Sequence, residues 1–163
     1  MIKLKKLHKD AVVPQFAHKT DSGADLFTCE PLVLKPGQKG IAKTGIAIAL
    51  PKGFGATIRN KSGNTVKGVL VDVCEPGFDG QVHMTKVRAD VTVFLGTIDN
   101  AYRGELGIMV KNETKHLIEI PKGTKLAQLV LEKIYQEEFK VVDDLDETDR
   151  GEGGFGSTGF RLA

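Results

Sequence analysis

The sequence predicts an all-β fold, with its strands arranged as a barrel or a jelly-roll-like sandwich. Short runs of aliphatic and β-branched residues, of which 45–50 and 68–73 are examples, are separated by proline and glycine at short intervals. Three of the intervening turns, in residues 34–37, 50–53 and 120–123, resemble one another. No window shows apolar residues with a sustained 3.6-residue period, so we expect little helix.

The three turns differ in their predicted type. In residues 50–53 and 120–123, proline would occupy the second position and glycine the fourth, which suits a type I turn. Pro36 and Gly37 instead suit a type II turn, because the residue after its proline needs a positive φ.

Composition and charge restrict the class of protein. A chain of 163 residues suits a single domain, and a net charge of +2 is too small to indicate a protein that coats nucleic acid. The first seven residues predict an edge strand and not a signal peptide, and no apolar run is long enough to span a membrane. Cys29 and Cys74 are too far apart to indicate a zinc knuckle or a disulfide framework. We expect a cytoplasmic protein with no membrane or nucleic-acid partner.

The chain divides into a β domain over residues 1–142 and a flexible C-terminal arm over 143–163. Residues 143–149 are acidic with hardly any apolar side chains, and a glycine-dense stretch follows, so neither can form a core. Residues 151–156 match Gly-x-Gly-x-x-Gly, but no strand precedes them and too few residues follow for the helix of a dinucleotide site. What remains is a loop that offers backbone N–H groups to an oxyanion.

Residues 96–105 are the most informative stretch of the chain. Strand-like apolar runs precede and follow it, and Asp99, Asn100 and Gly104 favour turns, so it predicts a β-hairpin tip. Such a tip can carry an acid, Asp99, and an aromatic ring, Tyr102, into one pocket. The alternative is an ordinary hairpin whose aspartate caps its own turn.

Four further stretches, with the hairpin third in order, make the chain similar to the homotrimeric dUTP diphosphatases (dUTPases). They are residues 21–26, 59–63, 123–129 and 150–159, so the resemblance extends over nearly the whole chain. It implies a distorted jelly-roll or β-clip barrel that forms a homotrimer, in which each active site borrows motifs from all three subunits. It also implies Mg²⁺-assisted hydrolysis of dUTP to dUMP and pyrophosphate.

The resemblance assigns the hairpin to the nucleoside and to catalysis. Asp99 matches the residue that positions a water for in-line attack on the α-phosphorus, with pyrophosphate as the leaving group. Tyr102 matches the ring that packs under the deoxyribose and excludes a 2′-hydroxyl. Backbone groups of the hairpin, at Gly96 and Ile98, are expected to read the edge of the uracil.

The resemblance places the phosphates against three other motifs. Ser62 and Gly63 belong to the segment that faces the α- and β-phosphates, and Lys61 stands where the family usually has arginine, which keeps the charge but loses the bidentate fork. Gln128 matches a glutamine of the catalytic site near the phosphates or the attacking water. Asp25 matches a residue that orients Mg²⁺-bound water, and Mg²⁺ held by phosphates and waters needs few protein ligands.

The arm is expected to close over bound nucleotide, although its composition alone would indicate a disordered tail. Phe155 matches the ring that stacks on uracil. The positions expected to face the γ-phosphate are Arg150, Ser157 and Thr158, with the backbone of Gly156 beside them.

Two further features, besides Lys61, depart from the family pattern. Thr124 and Lys125 stand where the family usually has an acidic residue and an arginine. The chain before the hairpin motif is also longer than usual, and the extra part predicts an additional hairpin over about 75–90, with its turn at 76–77 or 79–80. This hairpin is either a decorative insertion or a surface for a protein partner.

Two other functions compete with dUTP hydrolysis. The related dCTP deaminases share the fold but carry a catalytic glutamate ten residues after the hairpin aspartate, where this chain has Met109. Methionine cannot transfer a proton, which disfavours deamination. The second rival is a nucleotide-sensing regulatory protein that acts through the extra hairpin with weak or no turnover.

Overall fold

Thirteen strands and one short helix make up the regular structure of residues 1–77 and 81–154, which the computed structural model describes. This content confirms the all-β prediction and the scarcity of helix. In these residues, no helix has the length and apolar character needed to cross a membrane. In chain order the elements are β1 (Lys3–Lys6), β2 (Gly23–Phe27), β3 (Leu32–Leu34), β4 (Lys39–Lys43), β5 (Ile46–Ala49), β6 (Phe54–Asn60), α1 (Ser62–Lys67), β7 (Val69–Pro76), β8 (Val82–Ala89), β9 (Val91–Val93), β10 (Gly96–Ile98), β11 (Gly107–Asn112), β12 (Ile118–Ile120) and β13 (Lys125–Lys133).

The strands pair antiparallel in four sheets. The two larger sheets have the strand orders β10-β6-β13-β2 and β3-β12-β7-β8. The smaller ones are β4-β11-β9 and β1-β5. Among the described strands β1 pairs only with β5, so the N-terminal segment is the edge strand that its interleaved lysines predict.

The inward faces of these sheets supply the hydrophobic core. Along β11, Ile108 and Val110 are fully buried while Met109 between them is exposed, as the two-residue period of a strand requires. The same alternation in β7 buries Val69 and Val71. Each sheet therefore keeps an outer face on which polar or ligand-binding side chains can stand.

The predicted type II turn is present at residues 35–38. The N–H of Gln38 donates to the carbonyl of Lys35 at 3.0 Å, which places Gly37 at the third position. Gly37 has a φ of 69°, the left-handed value that this position of a type II turn requires.

The two turns predicted as type I are wrong in register and type. The N–H of Phe54 donates to the carbonyl of Pro51 at 3.1 Å, so proline is first in the turn and Gly53 is third. Gly53 has a φ of 80°, and residues 121–124 repeat the arrangement with Gly123 at 79°. A type I turn needs a negative φ at that position, and glycine tolerates the positive one without strain.

The extra hairpin is longer than the segment of about 75–90 expected from the sequence. β7 and β8 pair along their whole length, from Val69 opposite Ala89 to Pro76 opposite Val82, and β7 also pairs with β12. Because Val69 and Ala89 belong to the core, the hairpin is built into its sheet and is not a self-contained insertion. At its tip the N–H of Gly77 donates to the carbonyl of residue 81 at 2.7 Å. The turn predicted at 79–80 lies outside the described residues.

Regular structure ends at Lys133, the last residue of β13. Residues 134–154 contain neither strand nor helix, so the segment without secondary structure begins before the boundary expected at 143. Phe139 and Val141 in this segment are fully exposed, in keeping with a region that adds nothing to the core. Residues 155–163 of the predicted arm lie outside the described residues.

Candidate active site

Asp99 and Tyr102 lie in the connection between the paired strands β9 and β11. The flanking runs pair as the predicted hairpin, with Val93 opposite Val110, but the connection between them is not a simple tip because it contains a further strand. β10 leaves the β9–β11 pair and joins the neighbouring sheet, with Gly96 opposite Ile58 of β6. The connection of residues 94–106 is long enough to add this strand before the chain returns.

A turn after β10 sets the position of both side chains. The N–H of Tyr102 donates to the carbonyl of Asp99 at 3.1 Å, which closes the predicted turn. Asn100 Nδ2 donates to the carbonyls of Pro51 and Phe54, each at 2.7 Å, and so fastens this turn to the end of another loop. The side chain of Asp99 is left exposed to solvent.

The ring of Tyr102 is held by two contacts. Its hydroxyl donates to the carbonyl of Glu105 at 3.0 Å. The ring also packs against Gly104, where a Cβ atom would lie 2.3 Å from the phenolic oxygen. Gly104 is therefore required by the position of the ring, in addition to the turn-forming role that the sequence indicates.

One pocket contains the residues predicted to meet the nucleoside. Asp99, Tyr102, Gly96 and Ile98 all line it, together with Met109. A Cβ atom at position 96 would lie 3.5 Å from the Cε of Met109, so a side chain there would narrow the pocket. The acid and the aromatic ring thus share a pocket, as the spacing predicts.

A second cleft is built on the outer face of the β10-β6-β13-β2 sheet. Gln128 on β13 pairs with Asp25 on β2 and with Arg59 on β6, so the three polar residues stand side by side across three strands. Lys61 also lines this cleft. Gly23 leaves room for the glutamine, since a Cβ there would lie 2.7 Å from its Oε1.

Asp25 binds two lysines at the floor of this cleft. The residue is only 4% exposed; its Oδ1 forms an ion pair with Lys61, and its Oδ2 lies 3.1 Å from the Nζ of Lys125. Burial of the carboxyl group favours its protonated form, but the hydrogen bonds from the two lysines outweigh this effect and lower the pKa of Asp25. The carboxylate is therefore charged at neutral pH, with both oxygens engaged.

Lys61, Ser62 and Gly63 form the start of α1 and not the plain turn that is the alternative from the sequence. Lys61 precedes the helix in an extended conformation (φ −86°, ψ 132°), and its carbonyl accepts the N–H of Thr65 at 2.9 Å. Ser62 and Gly63 are exposed. Apart from its chain neighbours and the backbone of its own helix, no described atom lies within 4 Å of a Cβ built at Gly63. The backbone there is therefore open to a ligand.

Within one chain, Asp99 and Ser62 lie near opposite ends of β6, although Ile58 lines the pocket and its neighbour Arg59 lines the cleft. Ile98, next to Asp99, is opposite Ala56, whereas Lys61 follows the far end of that strand. Five residues of strand separate these points, roughly 17 Å at about 3.3 Å per residue. A single chain therefore does not bring Asp99 and Ser62 to the same phosphorus atom.

Two cations were not assigned a role from the sequence: Arg59, which lines the second cleft, and Lys125, which binds Asp25. Arg59 Nε donates to Thr57 Oγ1 at 2.9 Å, and its guanidinium forms an ion pair with Glu132. Lys125 binds Asp25 and lies 5.6 Å from the centroid of the Phe27 ring. Both residues belong to recognised motifs, but strand register decides which face they occupy, and register cannot be read from one sequence.

Of the predicted arm residues, only Arg150 lies in the described part of the chain. It is exposed, and its Nε donates to the carbonyl of Gly153 at 2.8 Å. Phe155, Gly156, Ser157 and Thr158 lie outside the described residues, and their roles stay predictions.

The donor atoms of the second cleft suit a metal ion that arrives with a ligand. The described residues contain no group of three or more His, Cys, Asp or Glu side chains that could hold a metal ion. Both oxygens of Asp25 contact lysines. Mg²⁺ carried by phosphates and waters requires few protein ligands, so this arrangement fits it better than an ion bound directly by side chains.

Comparisons with known proteins agree along the whole chain. The family model for dUTPase matches residues 9–93 and 86–159. The deoxyuridine 5′-triphosphate nucleotidohydrolase of Clostridioides difficile is 39% identical over 159 residues, which cover 98% of each chain. The protein of the same name from Gloeothece citriformis is 37% identical, covering 98% of this chain and 97% of the relative.

The similar solved structures are phage enzymes. A mutant dUTPase of Staphylococcus bacteriophage 80alpha with dUpNHpp has a TM-score of 0.80 and 28% identity, covering 98% of this chain and 99% of the other. A second 80alpha mutant, studied for enzymatic activity and SaPI inducing capacity, has a TM-score of 0.78, 29% identity and coverage of 96% and 98%. A mutant dUTPase of phage phi11, described with a structural Mg(II) ion, has a TM-score of 0.72, 27% identity and coverage of 90% and 99%. These neighbours confirm the jelly-roll class expected from the sequence.

Asp25→Asn should reduce the acid sensitivity of folding. Because the pKa of Asp25 is lower in the folded than in the unfolded chain, its stabilisation is fully present above about pH 4 and is lost as the pH falls through the folded-state pKa. Urea unfolding between about pH 6 and pH 3 should show a shallower loss of stability in the variant than in the wild type.

Asp10→Asn is the matched control for this measurement. Asp10 pairs with Lys122 at 3.1 Å, but this pair is exposed and should change the pH slope much less. The same slope in the wild type and in Asp25→Asn would show that the buried carboxylate does not stabilise the fold.

Proposed function

The chain belongs to the dUTPase family, and we propose that it hydrolyses dUTP to dUMP and pyrophosphate. The observation that carries this proposal is the pocket shared by Asp99 and Tyr102, in which a carboxylate and a ring are fixed by one turn. The named activity of the related proteins supports the same reaction. We expect the enzyme to act on the nucleotide pool of the cytoplasm.

Asp99 is proposed to position the attacking water. Its exposed carboxylate can accept a hydrogen bond from a water that lies in line with the α-phosphorus. The water oxygen bonds to phosphorus, its proton passes to the carboxylate, and the bond to the pyrophosphate oxygen breaks. The hydrogen bonds of Asn100 hold the turn in place and so restrict the position of the Asp99 carboxylate. Gln128 is proposed to contact the phosphates or this water from the second cleft.

The nucleoside is proposed to bind along β10. The backbone of Gly96 and Ile98 reads the edge of the uracil, where hydrogen bonds distinguish one base from another. Tyr102 packs under the deoxyribose, and its fixed ring leaves no space for a 2′-hydroxyl. Phe155 of the arm is proposed to stack on the uracil.

The second cleft is proposed to bind the phosphates. Lys61 supplies positive charge, and Ser62 and the open backbone of Gly63 supply hydrogen-bond donors to the α- and β-phosphates. From the arm, Arg150 is proposed to approach the γ-phosphate with Gly156, Ser157 and Thr158. These donors stabilise negative charge that develops on the leaving group.

Mg²⁺ is proposed to enter with the triphosphate. The ion would neutralise part of the phosphate charge, and Asp25 would hold it through a water molecule. Each oxygen of Asp25 contacts one lysine, and its remaining lone pair can accept a hydrogen bond from that water. The Mg(II) ion described for the phage phi11 enzyme supports the presence of a divalent ion in this family.

We propose that the active site is completed in a homotrimer. The distance along β6 separates the Asp99 pocket from the Ser62 cleft in one chain. A second copy can place its cleft against the pocket of the first, and the arm of the third copy can close over both. Each subunit would then take part in all three sites.

Deamination of dCTP is the less suitable alternative. Met109 stands where that reaction needs an acid, and it lines the same pocket as Asp99. A thioether can neither accept nor deliver a proton.

We propose, as a second function, that the extra hairpin binds a protein partner. On the outer face of the hairpin, Leu70 is 49% exposed and Met84 is 54% exposed. On the same face, Arg88 is opposite Leu70, and Lys86 lies between Arg88 and Met84 along β8. Exposed apolar side chains rimmed by charges are typical of protein interaction surfaces. The SaPI inducing capacity of the 80alpha relative supports a regulatory role beside catalysis.

Asp99→Asn should lower kcat for dUTP by about 100-fold or more, because amide oxygen and nitrogen orient water less well than a carboxylate. Binding of dUTP should remain measurable by calorimetry. Asp90→Asn, outside the pocket, is the control and should retain full activity. Released pyrophosphate and ammonia are measured with each deoxynucleoside triphosphate; ammonia from dCTP, or a kcat for Asp99→Asn within a few-fold of wild type, would contradict the assignment.

Subunit mixing tests whether the sites are shared. Lys61→Ala combined with Ser62→Ala should give a weakly active trimer, as should Asp99→Asn alone. Refolding the two variants together should restore part of the wild-type rate, because some sites then combine an intact Asp99 with an intact cleft. A chain with all three substitutions, mixed with Asp99→Asn, is the control and should restore nothing. If the first mixture also stays inactive, the site does not combine residues of different chains.

Leu70→Ser combined with Met84→Ser tests the hairpin surface. This variant should hydrolyse dUTP at the wild-type rate but lose the protein that the wild type captures from a lysate of its own host. Leu7→Ser is the matched control, because Leu7 is 48% exposed and lies directly after β1, which belongs to a different sheet from the hairpin. If the wild type, the double variant and Leu7→Ser all capture the same proteins, this surface is not the binding site.

A further inference from the structure

Glu105 lies in the nucleoside pocket without a function in the scheme above. The residue is half-buried and lines this pocket together with Asp99 and Tyr102. Its Oε1 accepts a hydrogen bond of 2.8 Å from the N–H of Gly45, which lies 60 positions earlier in the chain. The side chain therefore connects the loop that carries Asp99 and Tyr102 to the segment that leads into β5.

Gly45 provides a fixed donor for this hydrogen bond. Its φ of 68° lies in the left-handed region, which glycine adopts without strain. A Cβ atom at this position would lie 2.7 Å from the Cβ of His8 and 3.1 Å from the Sγ of Cys29, so the backbone here is closely packed. The carbonyl of Gly45 also accepts the N–H of Leu7 at 2.7 Å. The N–H that meets Glu105 is thus held in place by residues outside the loop.

The backbone of Glu105 contacts the tyrosine. The hydroxyl of Tyr102 donates to the carbonyl of Glu105 at 3.0 Å. The same planar peptide unit carries the N–H of Leu106, which donates to the carbonyl of Ile46 at 2.8 Å. One side of this peptide is therefore bonded to β5 and the other side holds the phenolic oxygen, while the carboxylate of Glu105 binds its own residue to the segment before β5.

We propose that Glu105 is a positioning residue for recognition of the sugar. This inference rests on the proposed function, in which Tyr102 packs under the deoxyribose and leaves no space for a 2′-hydroxyl. The ring can exclude one oxygen atom only while it stays in place, and Tyr102 is 45% exposed, so the core alone does not hold it. The two hydrogen bonds of Glu105 connect the ring to the interior of the protein, and this connection preserves the discrimination between dUTP and UTP.

Glu105→Ala, which removes the carboxylate and keeps the carbonyl, tests the proposal. The ratio of kcat/KM for dUTP to kcat/KM for UTP should fall about 3- to 10-fold, the effect of one lost hydrogen bond. The kcat for dUTP should change less than about threefold, because the hydrogen bonds of Asn100 still hold the Asp99 turn. Glu105→Gln keeps an oxygen that can accept the N–H of Gly45, so it should restore the ratio.

Glu113→Ala is the matched control. Glu113 also accepts a hydrogen bond of 2.8 Å from another strand, donated by Oγ1 of Thr92, but it does not line the pocket. This variant should leave the ratio at the wild-type value. In a double-mutant cycle, Tyr102→Phe and Glu105→Ala together should lower the ratio by less than the product of their separate effects, because both break the same connection.

The fluorescence of Tyr102 measures the order of the ring without any substrate. The chain contains two tyrosines and no tryptophan, so Tyr102 is the only tyrosine that emits once Tyr135→Phe is introduced. In this background, Glu105→Ala should lower the anisotropy of the emission and increase its quenching by acrylamide. Glu105→Gln should reverse both changes.

The outcomes separate this inference from the proposed function. If Glu105→Ala keeps the ratio within twofold of wild type, Glu105 only joins the loop to β5 and the inference is wrong. If Glu105→Ala does not fold, Glu105→Asp, whose shorter side chain does not reach Gly45, takes its place with the same expected result. If the wild type does not hydrolyse dUTP, the proposed function fails, and the fluorescence of the variants still decides whether Glu105 holds Tyr102 in place.

Discussion

The position of β6 between β10 and β13 determines where the chemistry of this chain can occur. One edge of β6 receives β10 and so fixes the Asp99 turn near its first residues, while the other edge aligns Arg59 with Gln128. The strand then continues directly into Lys61 at its far end. Since the two ends of a strand cannot approach each other, one chain keeps Asp99 apart from Ser62. In the proposed homotrimer, a second copy would bring these two residues together.

The electrostatics of the phosphate cleft depend on one buried acid. An isolated carboxylate in the position of Asp25 would be strongly disfavoured by burial, and the lysines reverse this effect. In return the acid keeps two long, flexible side chains in place before a nucleotide arrives. The entropy of ordering them is lost on folding, so it is not lost again when a ligand binds; in the proposed function this favours phosphate binding. Arg59 is ordered in a similar manner by Glu132 and Thr57.

Local sequence signals predicted local structure correctly, whereas the predictions that failed mostly depended on pairing between strands far apart in the chain. The all-β class, the turn at Asp99 and the shared pocket of Asp99 and Tyr102 followed from alternation, turn residues and short spacing. The pairing of β10 with β6 could not be predicted, because it depends on residues far apart in the chain. The same holds for Lys125, whose direction is set by a bulge, and for β7, which extends the hairpin because it pairs with β12. The predictions for the turns at 51–54 and 121–124 failed for a simpler reason. The same residues also fit a turn that is shifted by one position, with proline first and glycine third.

The tip of the extra hairpin has a practical consequence for work on this enzyme. The hydrogen bond between the N–H of Gly77 and the carbonyl of residue 81 keeps the two strand ends close together. The tip belongs to a sheet that carries neither the pocket nor the cleft. A fluorescent protein or an affinity tag spliced between these two residues would begin and end at neighbouring points, and it would interrupt neither β7 nor β8. The hairpin therefore offers an internal attachment point for labelling the protein while both chain termini, including the arm, remain unmodified.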